Sequence, residues 1–122
     1  MSPVEACIFC RILAGELPSR QVTSTEHTYA FFDLNPAAPV HFLVIPRSHI
    51  ENAAAVEAGH GEIIAEMFVT ARSGAESLGI AQDGYRLVFN VGTHALNSVS
   101  HLHMHVLGGQ QMGWPPGVEP IR

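Results

Sequence analysis

Lysine is absent from the 122 residues, and all six cationic side chains are arginines. A lysine Schiff base and the phosphate-cradling lysine of a P-loop are therefore excluded. Charge of either sign is scarce at 14% of residues, against about 25% in ordinary soluble domains, while 47% are hydrophobic. A surface so short of charge favours one partly covered by a partner. The net charge of −5 withholds the broad positive field that draws polymeric nucleic acid or an anionic membrane. No apolar run approaches the roughly 18 residues of a membrane span. The stretch Met1 to Cys7 lacks the basic start and apolar core of a secretory signal, so a cytoplasmic protein is expected. Neither repeat nor linker divides the chain, which reads as a single domain over 1–122. There are only two cysteines, Cys7 and Cys10. In a reducing compartment a C-x-x-C pair reads as metal-binding or redox before it reads as a structural disulfide.

Apolar residues at 8, 9, 12 and 13 have helical spacing, and Gly15 stands where that short helix would stop. Thr28 to Leu34 alternates, with Tyr29, Phe31 and Asp33 on one face and Ala30, Phe32 and Leu34 on the other. After a Pro-rich turn, Val40 to Ile45 is β-branched and aromatic until Pro46, which predicts a hairpin. Between Val56 and Leu78 the apolar residues Ile63, Ile64, Met67, Phe68, Ala71, Ala75 and Leu78 recur at three and four, with Gly79 as the cap. This is the one long helix. Tyr85 to Val91 and His101 to Leu107 read as further strands, and a Gly/Pro-rich tail runs from Gly108 to Arg122. Neighbouring strands with few helices indicate an α+β fold on an antiparallel sheet.

Histidine is as abundant as lysine is scarce, with eight in the chain. Three stand in His101-Leu-His-Met-His105-Val-Leu107, which on a strand places all three imidazoles on one face and Leu102, Met104 and Val106 toward the core. Such a row fits a metal site or a nucleophile with flanking donors. One zinc held by the three alone is disfavoured, because at about 3.3 Å per residue the outer Cα atoms lie roughly 13 Å apart. A central nucleophile, His103, suits phosphorus chemistry, since neutral imidazole attacks near pH 7 and positioned donors stabilise phosphoryl charge.

These residues carry a resemblance. The His101–Leu107 run resembles the signature of the histidine triad superfamily. Leu107-Gly-Gly-Gln-Gln-Met-Gly-Trp-Pro-Pro-Gly117 and Asp33-Leu-Asn-Pro-Ala-Ala-Pro-Val-His-Phe-Leu-Val-Ile-Pro46 are similar to blocks of its Hint branch. The resemblance implies a five-stranded antiparallel sheet with one long and one short helix, extended across a homodimer with the tail at the interface. It further implies hydrolysis of purine nucleoside phosphoramidates such as AMP or GMP derivatives. In that reading His103 attacks the phosphorus, oriented by the carbonyl of His101. His105 and His41 donate to phosphate oxygens, Ser98 meets the phosphate or the departing group, and Asn90 adds a phosphate contact. Asp33 accepts from ribose hydroxyls, Ile8, Phe9, Ile12, Phe31, Phe32 and Leu34 form the base pocket, and Trp114 reaches the partner's site. One departure is visible: where the family usually has Gly-Gln before Ser-Val, this chain has Leu96-Asn97, and leucine does not freely take the positive φ open to glycine.

Cys7 and Cys10 supply half of a zinc site. Several triad proteins complete it with a histidine after the second strand and the first triad histidine, which implies a structural zinc on Cys7, Cys10, His49 and His101. A redox pair remains open. Competing readings of the whole chain are a hydrolase of dinucleoside polyphosphates or nucleotidyl sulfates, and a zinc-stabilised nucleotide-binding adaptor with little catalysis. His27, His60 and His94 receive no role.

Overall fold

The computed structural model describes residues 6–117, so the last five residues of the tail lie outside it. Its order is helix α1 (Ile8–Leu13), strands β1 (Gln21–Ser24), β2 (Thr28–Phe32) and β3 (Val40–Pro46), helix α2 (Gly61–Ser77), then β4 (Tyr85–Val88) and β5 (Met104–Gly108). The five strands form one antiparallel sheet in the order β1-β2-β3-β5-β4.

Strand alternation sorts side chains between two covered faces. On one, Ala30, Phe42, Val44, Met104 and Val106 pack with Met67, Ala71 and Ala75 of α2. The helix approaches closely at Gly74, where a Cβ would lie 2.7 Å from Phe42 Cζ. On the other face, Phe31, Leu43 and Ile45 pack under Cys7 and Phe9 of the N-terminal segment. Gly15 (φ 79) and Gly79 (φ 77) take the left-handed conformation past the ends of α1 and α2, as expected of helix stops.

Three expectations change. The edge strand β1 was not foreseen, because Gln-Val-Thr-Ser offers one apolar residue and no alternation. The final strand begins at Met104, so His101 and His103 precede it, although Leu102 still joins the α2-side core. Strands β2 and β4 end at Phe32 and Val88, short of Leu34 and Val91. Among the described residues no helix is long and apolar enough to cross a membrane.

Candidate functional site

The His101–His105 segment serves two neighbouring constellations. The first gathers Cys7, Cys10, His49 and His101, whose donor atoms all lie within 4.8 Å of one another. Cys7 caps α1, its Sγ accepting from the Cys10 N–H, and this turn brings both sulfurs together. His49 follows β3 by three residues, and a 2.6 Å bond from Leu102 N–H to the Ile50 carbonyl docks the histidine segment beside it. The contacts Cys7 Sγ to His101 Nδ1 (3.3 Å), Cys10 Sγ to His49 Nδ1 (3.3 Å), Cys10 Sγ to His101 Nδ1 (3.5 Å) and His49 Nδ1 to His101 Nδ1 (3.2 Å) are the edges of a small polyhedron. Tetrahedral zinc, with Zn–S near 2.3 Å and Zn–N near 2.0–2.1 Å, requires edges of about 3.3–3.8 Å. The donor set fits that ion. His101 Nε2 donates to the Pro46 carbonyl at 2.9 Å, which leaves Nδ1 bare and aimed at the thiols. Burial pushes the Cys10 thiol up to about 11 and holds the His101 imidazole down to about 4. A bound cation would supply what the thiolates need to form.

The second constellation follows from hydrogen-bond bookkeeping. His103 Nδ1 lies 2.8 Å from the His101 carbonyl, which can only accept, so the proton sits on Nδ1 and the lone pair on Nε2. The Ala37 N–H donates to His41 Nδ1 at 3.0 Å, which puts the His41 proton on Nε2. That nitrogen is 2.8 Å from His105 Nδ1, so His41 donates and His105 carries its own proton on Nε2. Asp33 Oδ2 stands 3.5 Å from His41 Nε2. Burial lowers His41, with Asp33 opposing it, and burial reinforced by His103 and His41 brings His105 down to about 4. Burial thus favours the neutral forms of His41 and His105, and the hydrogen bonds define the tautomer of each of the three rings.

A cleft of about 540 Å³ opens onto this trio. Its wall includes Ile8, Phe9, Ile12, Phe31, Phe32 and Leu34, and its polar groups include Asp33, Asn90, Ser98, His103 and His105. Most of the residues singled out in the sequence therefore meet in one place. Phe9 is shared: its ring packs edge-on against Phe31, His101 and His103. Phe32 also packs against the α2-side core and lies beneath the Arg20 guanidinium, 4.7 Å from its ring. Asp33 Oδ1 accepts from Asn35 N–H at 2.7 Å, so part of its capacity holds the turn after β2. Two expected residues are not among the described residues lining the cleft. His41 is buried behind His105, to whose Nδ1 its Nε2 donates at 2.8 Å. Trp114 is 84% exposed on the tail.

Leu96 is the one non-glycine among the described residues with positive φ, at φ 61 and ψ 36. The backbone takes the left-handed conformation there despite the leucine. Two of the histidines left without a role act structurally. His27 and its own N–H meet Glu66 at 3.1 and 2.7 Å, tying the β1–β2 turn to α2, and His60 accepts from Glu57 N–H before that helix. The first was not legible in the sequence, because the partner Glu66 is 39 residues from His27.

Known proteins are similar to this chain in sequence and fold. The chain is 43% identical over 112 residues to a 14 kDa zinc-binding protein of Zea mays, covering 90% of this chain and 87% of that one. It is 41% identical over 109 residues to the purine nucleoside phosphoramidase of Escherichia coli (strain K12), covering 89% and 92%. Among solved structures, a HIT family hydrolase from Clostridium thermocellum superposes with a TM-score of 0.89 at 45% identity, covering 93% of this chain and 98% of that one. Residues 14–112 match the HIT domain, and with this fold and these relatives the chain belongs to the HIT family.

Proposed function

We propose that the protein is a nucleotide-binding hydrolase that cleaves the P–N bond of purine nucleoside 5′-phosphoramidates through a nucleotidyl-histidine at His103. The observation that carries this reading is the 2.8 Å bond from His103 Nδ1–H to the His101 carbonyl, since it leaves Nε2 as a bare nucleophile. The phosphoramidase name of the Escherichia coli relative supports the substrate class. Nε2 attacks phosphorus, the P–N bond breaks, and the nitrogen leaves as an amine after taking a proton. His105 Nε2–H would donate that proton or hold a phosphate oxygen, a role supported by the His41 contact that fixes its tautomer from behind. Water then attacks the phosphorus of the covalent intermediate, releasing the nucleoside monophosphate and freeing His103.

Ile8, Phe9, Ile12, Phe31 and Leu34 would receive the purine, Asp33 the ribose hydroxyls, and Ser98 and Asn90 the phosphate. Zinc on Cys7, Cys10, His49 and His101 would be structural, consistent with the zinc-binding name of the maize relative. It would fasten α1, and with it the cleft wall, to the sheet. A homodimer that brings Trp114 to the partner's cleft completes the reading.

Turnover of an adenosine phosphoramidate, compared with a dinucleoside tetraphosphate, tests the reaction class. The phosphoramidate is expected to be the better substrate, and His103→Ala is expected to lower its turnover by about four orders of magnitude. Full turnover by that variant would remove the nucleophile assignment. Binding of AMP without turnover of either compound would leave the adaptor reading instead.

A further inference from the structure

Leu96 combines three properties that rarely coincide. Its backbone is left-handed (φ 61), a conformation that glycine and asparagine take readily and leucine resists. It is 86% exposed, so its isobutyl group is left unpacked within the chain. Yet it lines the same cleft as His103, His105 and Ser98. The turn that holds it is fixed from both sides, by Leu96 N–H to the Thr93 carbonyl and by Asn97 N–H to the Gly92 carbonyl, each 3.1 Å. A bulky apolar side chain held exposed at a cleft, on a backbone conformation that leucine resists, points to a ligand contact as what the residue serves.

Which part of the ligand it meets follows from its neighbours. The apolar wall built from α1 and β2 suits a base, while the histidines and Ser98 suit the phosphate. Leu96 lies two residues before Ser98 on one loop and lines the cleft with it, so in the phosphoramidase reading it would flank the group attached to phosphorus. Asp33 is the only formally charged residue among the described lining residues, and it belongs to the β2 end of the cleft. A leaving group therefore meets an isobutyl side chain in place of a charge.

We infer that Leu96 is a specificity-determining residue, an apolar contact for the departing amine that makes the enzyme prefer amines with an apolar body over small polar ones. The inference rests on the phosphoramidase reading. Apolar contacts of this size discriminate by about 10-fold or more when enclosed. At an open rim, a preference of roughly 5–10-fold is expected.

The test compares kcat/KM for the adenosine 5′-phosphoramidates of phenethylamine and ethanolamine, two primary amines of similar basicity. The native protein is expected to favour the phenethylamine compound by about 5–10-fold. In Leu96→Gly and Leu96→Asn, which suit a left-handed backbone, the ratio should fall to about 1–2, whereas Leu96→Met should retain most of it. Thermal melting checks folding, and neither Leu96→Gly nor Leu96→Asn should lower Tm. An unchanged ratio in Leu96→Gly and Leu96→Asn, or an equal fall for both substrates, would overturn the inference while leaving the phosphoramidase reading in place. Failure of the native protein to turn over either compound would remove that reading and the inference with it.

Discussion

His101 and His103 stand two residues apart, yet they present opposite nitrogens to different chemistry. In His101 the Pro46 carbonyl occupies Nε2 and leaves Nδ1 for the cysteine cluster. In His103 the His101 carbonyl occupies Nδ1 and leaves Nε2 for the cleft. His101 is fully buried among sulfur and nitrogen donors, whereas His103 retains 9% exposure at the cleft. One residue type on one segment thus acquires two capacities, according to which ring nitrogen the backbone takes. Second, the two regions are mechanically joined: the carbonyl orienting His103 belongs to His101, and Phe9 packs edge-on against both rings.

Three experiments would break or sharpen that contrast. The largest effect is expected on the metal side. Cys7→Ser should abolish retention of about one zinc per chain, read by elemental analysis of protein purified without added zinc. It should also lower Tm by about 10 °C, as the loss of a few kcal/mol would in a domain of this size. Unchanged metal content would show that the four donors do not hold zinc.

An intermediate effect is expected behind the triad. His41→Ala leaves His105 Nδ1 without its donor, and the loss of such an orienting partner typically costs about 10–100-fold. The fall should appear in kcat with KM little changed. His41→Gln, whose amide can still donate, should recover part of it. Equal losses in both variants, or a loss confined to KM, would return His41 to the direct phosphate contact.

The smallest effect is expected in stability against pH. His105 sits near 4 in the folded protein and near 6.5 when unfolded, so between those values the unfolded chain binds more protons. Stability should therefore fall as pH drops from about 6.5 toward 4. Urea midpoints for the zinc-loaded protein and for His105→Gln, measured across that window, should show a shallower slope in the variant. Identical slopes would mean that burial does not hold His105 neutral.

Much of the fold was legible because its core elements carry clean periodicity. The repeat from Ile63 to Leu78 read directly because it packs one regular face on the sheet, and the hairpin β2–β3 because its apolar, β-branched run, covered on both faces, is bounded by prolines. The edge strand β1 did not read, because it is held by backbone pairing to β2 and contributes only Val22 to the main core. In the site, the residue identities and the His101 carbonyl behind His103 were expected, but the link from His41 to His105 was not. The place of His41 behind His105 depends on the register that sets His41 opposite Leu107 and Leu43 opposite His105.

The sequence by itself determined which chemistries are available: imidazole without lysine, a two-cysteine half-site, and an alternation that sends Leu102, Met104 and Val106 to the core and the histidines away from it. The resemblance already implied the free nitrogen of His103, but only the tertiary structure decided that of His101 and the relay from Ala37 through His41 to His105. That choice is made by the Pro46 carbonyl, the His101 carbonyl and the Ala37 N–H. Tautomers are fixed by hydrogen-bond partners, and a partner such as Pro46, 55 residues away from His101, is brought into place only by strand pairing and chain docking.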